Sequence, residues 1–219
     1  MRLFIAADLS PDVRAHLAAH LEKVRHDAGV RWVSPESFHI TLKFLGETDA
    51  SRVKDIQSLV QRVSSRYSCF SLFLKSGGAF PSTKNPRVLW TGVSGDFECL
   101  KKISEEIEEE LIPFGFPKEN RSFRPHLTLG RVQGRDSAAV SRGRESSSSK
   151  SAGSSSTESS STGSSVAVSE MTAVSQFCTL FSIYHSPLFE VNEIKLIRST
   201  PHPSGSRYET LDSFSLRPR

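Results

Sequence analysis

Three observations predict an α+β fold of two pseudo-symmetric lobes around a central cleft. Stretches with strand periodicity alternate with stretches of helical periodicity. The order strand, helix, strand occurs twice. Both copies end in the same short motif, His-x-Thr, at His39-Ile40-Thr41 and at His126-Leu127-Thr128. Duplicated units tend to pack about a pseudo-twofold axis, and a cleft shared between them brings the two motifs together.

Each element has its own signal. Leu3-Phe4-Ile5-Ala6-Ala7 is a short apolar run before Asp8. It is too short for the apolar region of a signal peptide and reads as a buried strand. Ser10-Pro11 supplies an N-cap and a first-turn proline. Val13, Leu17, Leu21 and Val24 then repeat at helical spacing until Gly29, and His16, His20 and His26 lie off that stripe as solvated polar residues. A strand over 38–45 carries the first motif. A helix from about 50 to 65 turns Val53, Ile56, Val60 and Val63 inward. Residues 69–75 alternate as a strand, a turn-like segment runs from Pro81 to Pro86, and Arg87–Val93 form a further strand.

The helix expected over 96–111 places Phe97, Leu100, Ile103, Ile107 and Leu111 on one face. Its glutamates 105, 106, 108, 109 and 110 read as a solvated outer surface. The second motif follows on a strand over 126–131. Residues 135–165 interrupt the pattern with serine clusters and almost nothing to bury, and read as a disordered insertion within one domain spanning 1–219. A helix from Val166 to about Ser182, a strand from Phe189 to Ile197 and a last strand near Arg207–Leu216 complete the chain.

Composition excludes several classes. A formal charge of +4 on 219 residues suits an anionic substrate without indicating nucleic acid by itself. No apolar run reaches the ~20 residues of a membrane span. Cys69, Cys99 and Cys178 are odd in number and far apart, which argues against a disulfide scaffold or zinc knuckle and for buried thiols in a reducing, cytoplasmic setting.

The chemistry comes from the motifs. In a strand, alternate residues share a face, so each His and its Thr point one way and the apolar residues between and after them the other. Histidine, with an ordinary pKa of about 6.5, can give or take a proton near neutrality. Two imidazoles on opposite sides of a phosphodiester can divide those tasks, one activating the nucleophile and one protonating the leaving oxygen. The hydroxyls of Thr41 and Thr128 can donate to non-bridging oxygens, and Arg131, then Lys43, are the best-placed cations. Carboxylate clusters of the kind that hold magnesium are missing around both motifs, and a third zinc ligand is lacking, so neither a metal nor another cofactor is expected.

The chain resembles the two-histidine (2H) phosphoesterases, and among them the RNA 2′,3′-cyclic phosphodiesterases also described as 2′-5′ RNA ligases. The resemblance rests on Arg2-Leu3-Phe4-Ile5-Ala6, on the segment from Phe38 to Gly46 and on Pro86-Arg87-Val88-Leu89-Trp90. It continues in the segment from Phe123 to Arg131 and in Arg207-Tyr208-Glu209. It covers roughly 1–134 and 166–217. It implies a LigT-like fold, with lobes of antiparallel sheet and outer helices. It further implies that His39 donates a proton to the leaving 3′ oxygen, that His126 activates water, and that Thr41, Thr128 and Arg131 hold the phosphate. Expected substrates are RNA with 2′,3′-cyclic phosphate ends or small cyclic nucleotides, hydrolysed to 2′-phosphomonoesters by a monomer that engages no membrane. The same histidines would serve the reverse joining of RNA halves, and a non-catalytic RNA-binding module is the third reading. The serine-rich insertion departs from the family pattern.

Overall fold

The computed structural model describes residues 1–25, 29–120, 122–133, 173–202 and 205–219. Thirteen elements are used below: β1 (Arg2–Asp8), α1 (Pro11–Leu21), β2 (Val30–Trp32), β3 (His39–Glu47), α2 (Val53–Ser64), β4 (Phe70–Ser82), β5 (Asn85–Gly95), α3 (Phe97–Leu111), β6 (His126–Val132), α4 (173–182), β7 (Phe189–Val191), β8 (Glu193–Thr200) and β9 (Arg207–Ser215). All pairings between these strands are antiparallel, in the order β7-β4-β5-β6-β3-β1-β8-β9, with β2 beside β6. The two expected lobes are halves of this one curled sheet. They meet where β3 and β6 pair through Ile40 and Leu127.

The helices line one face of the sheet. Ser10 Oγ accepts from the Val13 amide, and α1 buries Val13, Leu17 and Leu21. Ile56, Leu59, Val60 and Val63 of α2, Leu100, Ile103, Ile107 and Leu111 of α3, and Phe177 and Phe181 of α4 join them in one continuous core. Each such side chain contributes about 1.5–3 kcal/mol when fully buried. The apolar run of β1 serves both faces. Leu3, Ile5 and Ala7 enter that core, while Phe4 and Ala6 make a small cluster with Ile197 on the other side. That second face is the cleft.

Several expectations are corrected. The helix expected from 50 divides into a 3₁₀ turn, Ala50–Arg52, capped by Asp49, and α2 proper. β4 runs on to Ser82 and β5 starts at Asn85, so the turn shrinks to Thr83-Lys84. β4 tolerates Gly77 in mid-strand because α4 lies on it: a Cβ there would sit 2.7 Å from Phe181 Cβ. The strand expected over 189–197 is two, parted at Asn192, and they lie on opposite flanks of the sheet. β2 had no sequence signal.

Side-chain environments also differ from expectation. His20 is half-buried against Phe181 and Tyr184, and burial pushes its pKa down. His16 is exposed, with Nδ1 3.3 Å from the Tyr184 hydroxyl. The α3 glutamates are engaged in ion pairs: Glu106 and Glu110 with Arg66, Glu110 also with Arg62, Glu105 with Lys101, Glu109 with Lys118, and Glu108, largely buried, with Lys43. The three cysteines are half-buried and unpaired, and burial pushes the Cys99 and Cys178 thiols up. The insertion at 135–165, the start of the helix expected from Val166, and His26 lie outside the described residues.

Candidate active site

Both motif strands show the same succession of half-buried, buried and exposed residues over their first seven positions. Ile40 and Leu127 are fully buried in the core, so the flanking histidines and threonines face the cleft. Extending the antiparallel register by one residue each way sets Thr41 across from His126 and His39 across from Thr128. The two imidazoles are then diagonal neighbours, with Cβ atoms somewhat closer than the roughly 7–8 Å diagonal of an antiparallel pair. The two motifs thus make a four-cornered site across the seam of the sheet.

Both strands bulge just after the threonine. On β3, Ala6 pairs with Thr41 and Ile5 with Lys43, so Leu42 is skipped. On β6, Trp90 pairs with Thr128 and Leu89 with Gly130, so Leu129 is skipped. A bulge shifts the alternation by one residue. The third residue after each threonine, Phe44 and Arg131, therefore returns to the cleft face. Phe44 is 63% exposed there.

Strict alternation from His39 and Thr41 would put Lys43 in the cleft. The bulge sends it the other way. Lys43 is only 4% exposed, and its Nζ lies 2.7 Å from Glu108 Oε1 and 3.2 Å from the Pro117 carbonyl. Arg131 stands on the cleft face because of the same irregularity. Nothing in the residue pattern announces the bulges.

The imidazoles are oriented alike. His39 Nδ1 lies 2.7 Å from the Ser37 carbonyl oxygen, and His126 Nδ1 lies 2.8 Å from that of Arg124. A carbonyl can only accept, so each Nδ1–H donates, and each Nε2 has no hydrogen-bond partner among the described residues. Aromatic rings steady both. His39 stands 4.7 Å from Phe4 and 5.2 Å from Tyr208, ring centre to ring centre. His126 stands 5.1 Å from Phe80, which stacks on Trp90.

The His39 side has further support that sequence reasoning missed. Arg14 Nη1 donates to the Pro35 carbonyl at 2.6 Å and to that of Phe38 at 3.2 Å, and Nη2 pairs with Asp8. The turn that presents the Ser37 carbonyl is thereby tied to α1 and β1. Asp8 also meets Lys195 Nζ at 2.9 Å. Burial works to raise the Asp8 carboxyl, but the hydrogen bond from Lys195 and the charge of Arg14 outweigh it and hold the pKa down. Burial lowers the pKa of His39; the Ser37 carbonyl and the charge of Asp8 oppose this without reversing it. A small cavity of about 90 Å³ lies beside the ring, with Asp8, Ser37, Lys195 and Tyr208 in its wall.

Comparison with known proteins agrees with this architecture. Residues 8–90 match the family model described as LigT like Phosphoesterase. The RNA 2′,3′-cyclic phosphodiesterase of Thermotoga maritima is 38% identical over 134 residues, covering 61% of this chain and 71% of the relative. The protein of the same name from Archaeoglobus fulgidus is 34% identical over 148 residues, covering 68% and 82%. Among solved structures, TT0787 of Thermus thermophilus superposes with a TM-score of 0.69 at 25% identity, covering 100% of this chain and 99% of its own.

Proposed function

The chain belongs to the RNA 2′,3′-cyclic phosphodiesterase family of LigT-like phosphoesterases, and from that premise we propose that it hydrolyses 2′,3′-cyclic phosphate ends of RNA to 2′-phosphomonoesters by paired-histidine catalysis. One observation carries the reading. Two imidazoles, each with Nδ1 tied to a carbonyl two residues upstream, present Nε2 atoms without a partner among the described residues, from opposite corners of a single site.

His126 Nε2 takes a proton from water as its oxygen bonds to phosphorus. The bond from phosphorus to the ribose 3′ oxygen breaks, and His39 Nε2–H delivers its proton to that oxygen. Each transfer is worth about 10²–10⁴-fold in rate. Thr41 and Thr128 donate to the non-bridging oxygens, and the Arg131 guanidinium offsets the charge growing there. Burial that lowers the His39 pKa makes its protonated form a stronger acid toward an alkoxide leaving group. These residues supply acid, base and charge stabilisation, so no metal is assigned a step.

The test is turnover of adenosine 2′,3′-cyclic phosphate with EDTA present. Adenosine 2′-phosphate is the expected product, and His39→Ala and His126→Ala should each lower kcat by about 100-fold or more. A 3′-phosphate product, dependence on added metal, or near-normal turnover by either variant would overturn the reading. Absence of turnover together with joining of RNA halves would assign the reverse direction instead.

A further inference from the structure

β2 adds a cation to the cleft that the two motifs do not contain. Val30 and Trp32 turn to the helix layer: Val30 is buried in the core, Trp32 packs against Phe177, and both crowd the position of a Cβ on Gly130. Arg31, between them, therefore faces the cleft and is exposed. Its partner in the β2–β6 register is Arg131. Two arginines directly opposite on one face repel each other. Neither makes an ion pair with any described residue. A guanidinium pair with no carboxylate partner among the described residues, beside an anion site, is a site for more than one anionic group.

The position of Arg31 says which group. β2 and β3 both flank β6 on the same side, β3 at Leu127 and β2 from Gly130 onward. Arg31 thus lies one row beyond His39 and Thr128, on the His39 side of the seam. If His39 protonates the 3′ oxygen, as proposed above, the terminal ribose also lies on that side. Its 5′ oxygen carries the phosphodiester to the preceding nucleotide. We infer that Arg31 binds this upstream phosphodiester, so that the site discriminates an RNA end from an isolated nucleoside cyclic phosphate.

The inference rests on the hydrolase reading and has its own test. Wild type and Arg31→Gln are compared on adenosine 2′,3′-cyclic phosphate and on the dinucleotide ApA ending in a 2′,3′-cyclic phosphate. The substitution should lower kcat/KM for the dinucleotide by about ten- to a hundredfold, at least tenfold more than for the mononucleoside. Arg31→Lys, which keeps the charge but not the fork, should recover part of the loss. The slope of log(kcat/KM) against log salt for the dinucleotide should flatten by about 0.7 in Arg31→Gln, the share of one phosphate contact to a single strand. Equal losses on both substrates, or none on either, would overturn the inference while leaving the hydrolase reading intact. A wild type inactive on both would overturn the two together.

Discussion

His39 and His126 are chemically identical residues placed in unlike surroundings. His39 is enclosed by Phe4, Tyr208 and the Arg14-braced turn, and its pKa is lowered first by burial. In the paired mechanism only the singly protonated pair is active. As pH falls through the lower of the pair's two values, the second imidazole is also protonated and the base is lost; as pH rises through the upper value, the donor is lost. The acid limb of kcat/KM against pH should therefore lie below the ordinary histidine value of about 6.5. Asp8→Asn removes a charge that favours protonated His39, so that limb should move lower still. An acid limb at or above 6.5, or one unmoved in Asp8→Asn, would show that burial of His39 does not set the profile.

At the scale of elements, the paired bulges at Leu42 and Leu129 determine what each motif strand presents to the cleft. Gly130 sits within the second bulge, where a Cβ would lie 2.7 Å from Val30 Cγ1 and 2.9 Å from Trp32 Cε3. Gly130→Ala must push β2 away from β6. Overpacking of this kind costs about 1–3 kcal/mol, which for a chain of this size lowers Tm by roughly 2–12 °C. The same displacement should lower kcat/KM, because Arg131 follows Gly130 directly. Thermal unfolding and turnover on one preparation check both, and a Tm within a degree of wild type would show that β2 yields at no cost. Most elements could be read in advance because their apolar residues recur at strand or helix spacing over long enough stretches. The bulges could not, since skipping one residue leaves no compositional trace. β2 is three residues long, and the break at Asn192 is marked only by two polar residues in succession, Asn192 and Glu193. Charge and motif suggest both Lys43 and Arg131, and the bulges put only Arg131 on the cleft face.

At the scale of the whole molecule, residues 137–165 are about half serine and hold almost no large apolar side chains. Ordering them would cost about 1–2 kcal/mol per residue with little burial in return. Lengthening a flexible loop costs only about 0.6 kcal/mol per doubling. Replacing 137–165 with a short Gly-Ser connection should therefore hold Tm within a few degrees and preserve mononucleoside turnover. A variant that unfolds or loses that turnover would make the segment part of the working structure. The strand order carries a different consequence, for synthesis. β1 lies between β3 and β8, so its outer edge is completed by Ile194–Ser199. A nascent chain that has already delivered both histidine strands still has an open edge at its first strand. β1 must wait, unpaired on that side, until the chain has been made through β8, and in that interval its edge is open to chaperones and to wrong partners.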